Sequence, residues 1–255
     1  MRQRRFIGMM AMGLLLLTGL VATASEDQSA LRDHSGGMVV VSPLIGSNRD
    51  ELKLPARGPG MPATTLTDDA LEYGLYAMYV HPRIVVNNFF FYTEPNDAEV
   101  AGNLTFVNLY GSPEHNIKWN VGAGYLWHEI KTAGPTIKVN APMVKVGGVF
   151  RCPKLHLSLN PYVGYLWEGI EVGSYESDTE SMLYGVTLNW HWRMLMATCK
   201  YYMQDDQDTD EQYNVVRARL AVFANDTVGL LMRAEYMEHS TSDDTSFLIG
   251  PVVVF

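Results

Sequence analysis

Arg217-Ala218-Arg219 and Arg233-Ala234-Glu235 each carry two charged side chains two residues apart, the spacing that puts both on one face of a β-strand. Lys145 and Lys200 sit in comparable runs of small and apolar residues. Ammonium and guanidinium groups along the inside of a strand assembly attract anions, and rings of them bias a channel toward anionic solutes. A carboxylate among them has the opposite use, because Glu235 can neutralise Arg217 and Arg233 in a packed interior that passes nothing. Residue types alone leave both outcomes open.

Hydrolytic chemistry would need a nucleophile, a base and an acid brought together. His128 and Glu168 take equivalent places in two near copies, Gly124-Tyr125-Leu126-Trp127-His128 and Gly164-Tyr165-Leu166-Trp167-Glu168. No serine stands beside them in a recognisable motif. Ser47-Asn48-Arg49 faintly resembles an outer-membrane phospholipase signature but lacks its histidine. His128 therefore reads as a rim histidine served by water or by Glu129.

Acidic residues gather in three segments: Glu168, Glu171, Glu176, Asp178 and Glu180, then Asp205, Asp206, Asp208, Asp210 and Glu211, then Glu238, Asp243 and Asp244. Carboxylate oxygens suit Ca²⁺ and Mg²⁺, and Asp206-x-Asp208-x-Asp210 begins like a calcium loop. Glu211 stands where that loop requires glycine and no bidentate glutamate follows, so solvated loop charge is the simpler reading. No metal ligands and no cofactor are assigned. Cys152 and Cys199 are the only cysteines; Cys152 falls in a short turn and Cys199 several residues up a strand that is not its neighbour, which argues against a disulfide.

The elements that must position these groups show in the parity of the chain. Ile117, Trp119, Val121, Ala123, Tyr125 and Trp127 alternate with Lys118, Asn120, Gly122, Gly124, Leu126 and His128, one face apolar and aromatic-ended, the other small or polar. The pattern repeats from Leu155 to Glu168, with weaker echoes at Tyr202-Met203 and Tyr236-Met237, a hairpin-sized repeat. Tight turns at 111–115, 151–154, 191–193 and 224–226 alternate with long polar connections near 129–138, 168–181, 203–212 and 237–246. Short turns on one rim and long loops on the other describe a transmembrane barrel.

Counting back from Phe255, strands are expected near 245–255, 227–238, 213–223, 195–204, 181–191, 155–168, 138–151, 116–128, 99–110, 83–93 and 71–80. An even count needs a twelfth, for which Gly37 to Ile45 is the candidate. Otherwise Gly46 to Asp69, with Pro55, Pro59 and Pro62, makes a plug or periplasmic segment and leaves ten strands. Turn lengths pair Tyr79 with Ile84, Phe150 with Leu155 and Trp190 with Leu195. A third loop residue beside Asn225-Asp226 sets Arg217 opposite Glu235 and Arg219 opposite Arg233, or one diagonal step away. This parity turns Lys145, Lys200, Arg217, Arg219, Arg233 and Glu235 inward as candidate pore-lining residues.

The N-terminus carries Arg2, Arg4 and Arg5, an apolar run from Phe6 to Val21, and Ala22-Thr23-Ala24. This is the form of a signal peptide cut after Ala24, with Ala22 and Ala24 as the small residues read at the cut. Residues 25–36 would follow as a periplasmic segment and 37–255 as the barrel. The formal charge of −9 becomes −12 when those three arginines depart, which argues against a nucleic-acid partner.

Phe247, Ile249, Pro251, Val253 and Phe255 alternate on one face and end on an aromatic. This resembles the C-terminal recognition strand of bacterial outer-membrane β-barrel proteins, although Pro251 departs from the pattern because it cannot donate to a ladder. The resemblance implies an all-β, transmembrane, antiparallel up-and-down barrel in the outer membrane of a Gram-negative-type bacterium. It implies Phe247, Ile249, Val253 and Phe255 as the signal read by the outer-membrane assembly machinery, and outer-membrane lipid as the surroundings. The expected role is porin-like passive diffusion of small solutes, anions favoured. A closed structural or surface-interaction barrel is the competing class, and a lipid-modifying enzyme stands behind both.

Overall fold

A computed structural model describes residues 37–54, 64–95, 98–207 and 212–255. The leader, its residues Ala22 and Ala24, and the segment 25–36 lie outside the described residues, as do Pro55, Pro59 and Pro62. The strands are β1 (Met38–Leu54), β2 (Thr64–His81), β3 (Ile84–Thr93), β4 (Glu99–Tyr110), β5 (Ile117–Lys131) and β6 (Ile137–Cys152). They continue as β7 (Leu157–Val172), β8 (Tyr175–Trp192), β9 (Leu195–Asp206), β10 (Gln212–Phe223), β11 (Val228–Glu238) and β12 (Ser242–Val254). Each pairs antiparallel with its sequence neighbour, and β1 pairs with β12 to close the barrel. Closure leaves no strand edge, which hydrocarbon surroundings require of a spanning sheet.

Gly37 to Ile45 is therefore strand rather than plug, and the strand runs on to Leu54. Alternation continues through it, with Asn48 buried and Arg49 outward, where Arg49 Nε bonds Asp69 of β2 at 2.8 Å. The segment from 168 to 181 corrects the expected long loop in the same way. β7 and β8 pair as far as Val172 and Tyr175, leaving a two-residue turn at Gly173-Ser174, where Gly173 takes φ +64°. A positive φ of this kind costs glycine nothing. The acidic residues Glu171, Glu176 and Asp178 thus stand on a paired ribbon.

The turns at the opposite rim shift the expected pairs while keeping their parity. Phe150 faces Leu159 rather than Leu155, because Pro153–Leu155 forms a 3₁₀ turn that closes on His156 at φ 54°. Trp192 rather than Trp190 faces Leu195 across Arg193-Met194, and His81 rather than Tyr79 faces Ile84 across Pro82-Arg83. Every shift is an even number of residues, since an odd one would turn the apolar face into the lumen. Arg217 opposite Glu235 and Arg219 opposite Arg233 stand as expected. Cys152 and Cys199 are free, on β6 and β9, with β7 and β8 between them.

The outside carries two aromatic levels. Trp119, Tyr79 and the stacked pair Trp190–Trp192 lie toward the short turns; Tyr125, Trp167 and Tyr236 lie toward the other rim. Exposed Val121, Val146 and Val163 fill the band between. This is the pattern of a lipid-facing surface with its two interfaces.

Inside, bulky rings lie over glycines of neighbouring strands. A Cβ on Gly124 would stand 2.1 Å from the Phe106 ring, and one on Gly185 would stand 2.4 Å from the Tyr162 ring. At the seam between β1 and β12 the backbone itself crowds the glycine, with a Cβ on Gly46 falling 1.7 Å from the Phe247 carbonyl oxygen. Pro43 and Pro251 lie at the same level of that seam, where the register between Val41↔Val253 and Ile45↔Ile249 has no paired residues. Ser42 Oγ donates to the Pro251 carbonyl at 2.8 Å there. A side chain supplies a bond that the two proline nitrogens cannot.

Candidate functional site

All six predicted lumen residues lie on the inner face. Lys200, Arg217 and Arg233 are buried, as is Lys145; Arg219 and Glu235 are half-buried. Register builds the cluster: Lys200 of β9 lies opposite Arg217 of β10, and Arg217 lies opposite Glu235 of β11. Like charges opposite one another are unfavourable, so Lys200 and Arg217 need compensation from their neighbours.

Glu235 supplies it for the arginines. Its two carboxylate oxygens accept from Arg217 Nε and Nη2, each at 2.8 Å, and Arg233 Nη2 donates to Glu235 Oε2 at 2.5 Å. Two guanidinium groups thus share one carboxylate in a largely water-free setting, where such bonds are strong.

Aromatic faces hold the remaining positive charge. Tyr162 lies between two lysines, with Lys145 Nζ 4.9 Å and Lys200 Nζ 5.3 Å from its ring centroid. Lys200 also stands 4.6 Å from the Tyr202 ring, and Arg233 lies 4.3 Å from that of Phe89. Arg219 Nη1 donates to the Tyr76 hydroxyl at 2.9 Å. The negative end of each ring quadrupole faces a cation, which lowers the cost of burying it.

Glu72, buried on the inner face of β2, was missed in the sequence reading although the parity that places Tyr79 outside turns it inward. Asp50 and Asp244 face each other across β1 and β12 nearer the long-loop rim. Asp244 was placed in a loop because its charge broke the apolar run. Among the described residues, no three His, Cys, Asp or Glu side chains converge on a metal position. Asp208, Asp210 and Glu211 of the calcium-like stretch lie outside the described residues.

His128 and Glu168 are both buried on the inner face, which corrects the reading of His128 as a water-served rim residue. Its ring rests against Phe91, with centroids 5.7 Å apart, and neither ring nitrogen makes a hydrogen bond to a described residue. Both Glu168 oxygens also lack one. The two groups are not joined to each other or to a serine.

Among the described residues, cavities lie along the lumen near the short-turn rim and at mid-lumen. The larger, of about 340 Å³, opens at that rim and is floored by Tyr76 and Arg219. The smaller, of about 20 Å³, lies among Arg217, Arg219, Arg233, Phe89 and Phe106. Midway along the lumen the Phe106, Lys200 and Tyr202 side chains are fully buried, out of reach of water in this conformation.

A closed barrel of antiparallel hairpins, apolar and aromatic-girdled outside with charged groups within, is a transmembrane β-barrel. The chain is similar to the NanC porin at 13% identity and a TM-score of 0.54, over 83% of this chain and 98% of that one. It is also similar to the translocator domain of the autotransporter NalP from Neisseria meningitidis at 12% identity and a TM-score of 0.52, over 89% and 91% of the two chains. No protein-family model matches the chain, and no curated protein matches it. By fold the chain is a transmembrane β-barrel that matches those of Gram-negative outer-membrane proteins. The Phe247, Ile249 and Val253 side chains lie on its outer face at the closing strand. Phe255 is bound to Val39 by two backbone hydrogen bonds of 2.9 and 3.1 Å.

Proposed function

We propose that this protein is a non-catalytic outer-membrane channel for small solutes that prefers anions and is narrowed at mid-lumen by Lys145, Lys200, Arg217, Arg219 and Arg233. The observation that carries the reading is the sign of that wall: five cations gather around the inward acids Glu72 and Glu235, with Asp50 and Asp244 nearer the long-loop rim. An interior that served only as a plug gains nothing from concentrating like charge, since apolar side chains of similar volume fill space at lower cost. Conduction requires the Tyr202, Phe106 and Lys200 side chains to change rotamer, and an anion passing between the cations offsets their repulsion.

Full burial at that level favours a second reading, a closed barrel that works through its outer surfaces. Planar-bilayer recording of the refolded protein separates the two. Unitary currents with anion preference support the channel; a silent bilayer containing folded protein supports the closed barrel. Solutes and membrane lipid are then the partners, together with the assembly machinery that reads Phe247, Ile249, Val253 and Phe255. Residues 1–24 are the cleaved leader and 25–36 a periplasmic segment. Replacing Phe255 by alanine lowers the fraction of heat-modifiable, folded barrel in the outer membrane, and an unchanged fraction removes the role given to that residue.

A further inference from the structure

We infer that the vestibule at the short-turn rim is a binding site for small amphiphilic carboxylates, molecules with one carboxylate and an apolar body. The inference rests on the anion reading of the lumen and names the class of solute it takes. Its volume, about 340 Å³, is in the range of small-molecule sites, about 300–1,000 Å³.

The walls carry the argument. A water-filled barrel mouth is lined by polar groups. This one sets an apolar patch of Met38, Met78 and Met196 beside polar lining residues that include His191, Arg193 and Asp226. Methionine side chains are unbranched and polarisable, so they adapt to apolar bodies of differing shape.

The floor supplies the charge. Arg219 is half-buried and borders the cavity, and its Nη1 donates to the Tyr76 hydroxyl at 2.9 Å. That hydroxyl in turn donates to Asn87 Oδ1 at 3.0 Å, so Tyr76 is itself anchored. A guanidinium anchored through Nη1 keeps its planar fork oriented, the geometry that carboxylates match at two points. An uncharged apolar ligand would desolvate Arg219 without return, and an inorganic anion would leave the methionine wall wet. A carboxylate with an apolar body meets both surfaces.

Short turns face the periplasm in this class of barrel, so the site loads from that side or receives solute arriving past the constriction. Binding itself needs no current.

Isothermal titration of the full chain in lipid nanodiscs, with empty discs subtracted, tests the inference using octanoate, octanol and acetate. Octanoate saturates at one per barrel, while octanol and acetate each bind about tenfold more weakly or worse, the loss set by one charge-assisted pair or by the apolar contact. Arg219→Gln brings octanoate down to the level of octanol and leaves octanol unchanged. Acetate equal to octanoate, octanol equal to octanoate, or unchanged octanoate affinity in Arg219→Gln overturns the inference. Should that variant fail to fold, the ranking of the three ligands on the native chain still decides. Saturable octanoate binding by a barrel without current would sink the channel and keep the site. Anion current without octanoate binding would do the reverse.

Discussion

Arg217 and Glu235 face each other across β10 and β11 as a two-point pair, Nε and Nη2 each 2.8 Å from a different carboxylate oxygen. Arg233 shares one of those oxygens, so a single carboxylate ties two strands' worth of positive charge together. The constriction depends on this one acid more than on any of its bases.

Replacing Glu235 by glutamine keeps the shape and removes the charge. Two guanidinium groups then lie buried beside Lys200, and the barrel loses about 3 kcal/mol of stability, the cost of breaking a buried pair. Urea unfolding in lipid vesicles measures it. A variant as stable as the parent shows that the lumen is wetter than its packing implies.

The double change Arg217→Ala with Arg219→Ala removes two of the five cations at the constriction. In a salt gradient the reversal potential moves toward cation preference. An unchanged potential removes the role given to these residues.

At the closing seam, Gly46→Ala places a methyl group 1.7 Å from the Phe247 carbonyl oxygen, where only backbone can yield. The folded, heat-modifiable fraction falls sharply, whereas alanine at Gly134, whose nearest neighbour is a side-chain oxygen at 3.4 Å, leaves it unchanged. Equal folded fractions for the two variants contradict the closure described here.

Val163 lies in the lipid-facing band opposite Val146. Val163→Arg destabilises the barrel in vesicles by about 2–4 kcal/mol, the penalty for a cation at the bilayer midplane, while Val163→Leu has little effect. Equal stabilities would place this surface outside the membrane.

Much of the architecture is legible in the chain itself because a strand has period two and the bilayer demands one apolar face. That parity turned Arg217, Arg219 and Arg233 inward and predicted Arg217 opposite Glu235. Strand ends were less legible. The Glu168 to Ser181 stretch reads as loop because its charges break the apolar pattern, yet a ribbon standing clear of lipid keeps its backbone bonds with any side chains. The turn at Pro153 shifted its pairs by four residues, since local turn geometry sets register within the parity that lipid imposes. What only the tertiary structure decided is what meets across the lumen. Tyr76 of β2 receives a bond from Arg219 of β10, Tyr162 of β7 lies between Lys145 of β6 and Lys200 of β9, and methionines from three strands and one turn wall one cavity. These neighbours are set by barrel closure and strand stagger, which no single strand encodes.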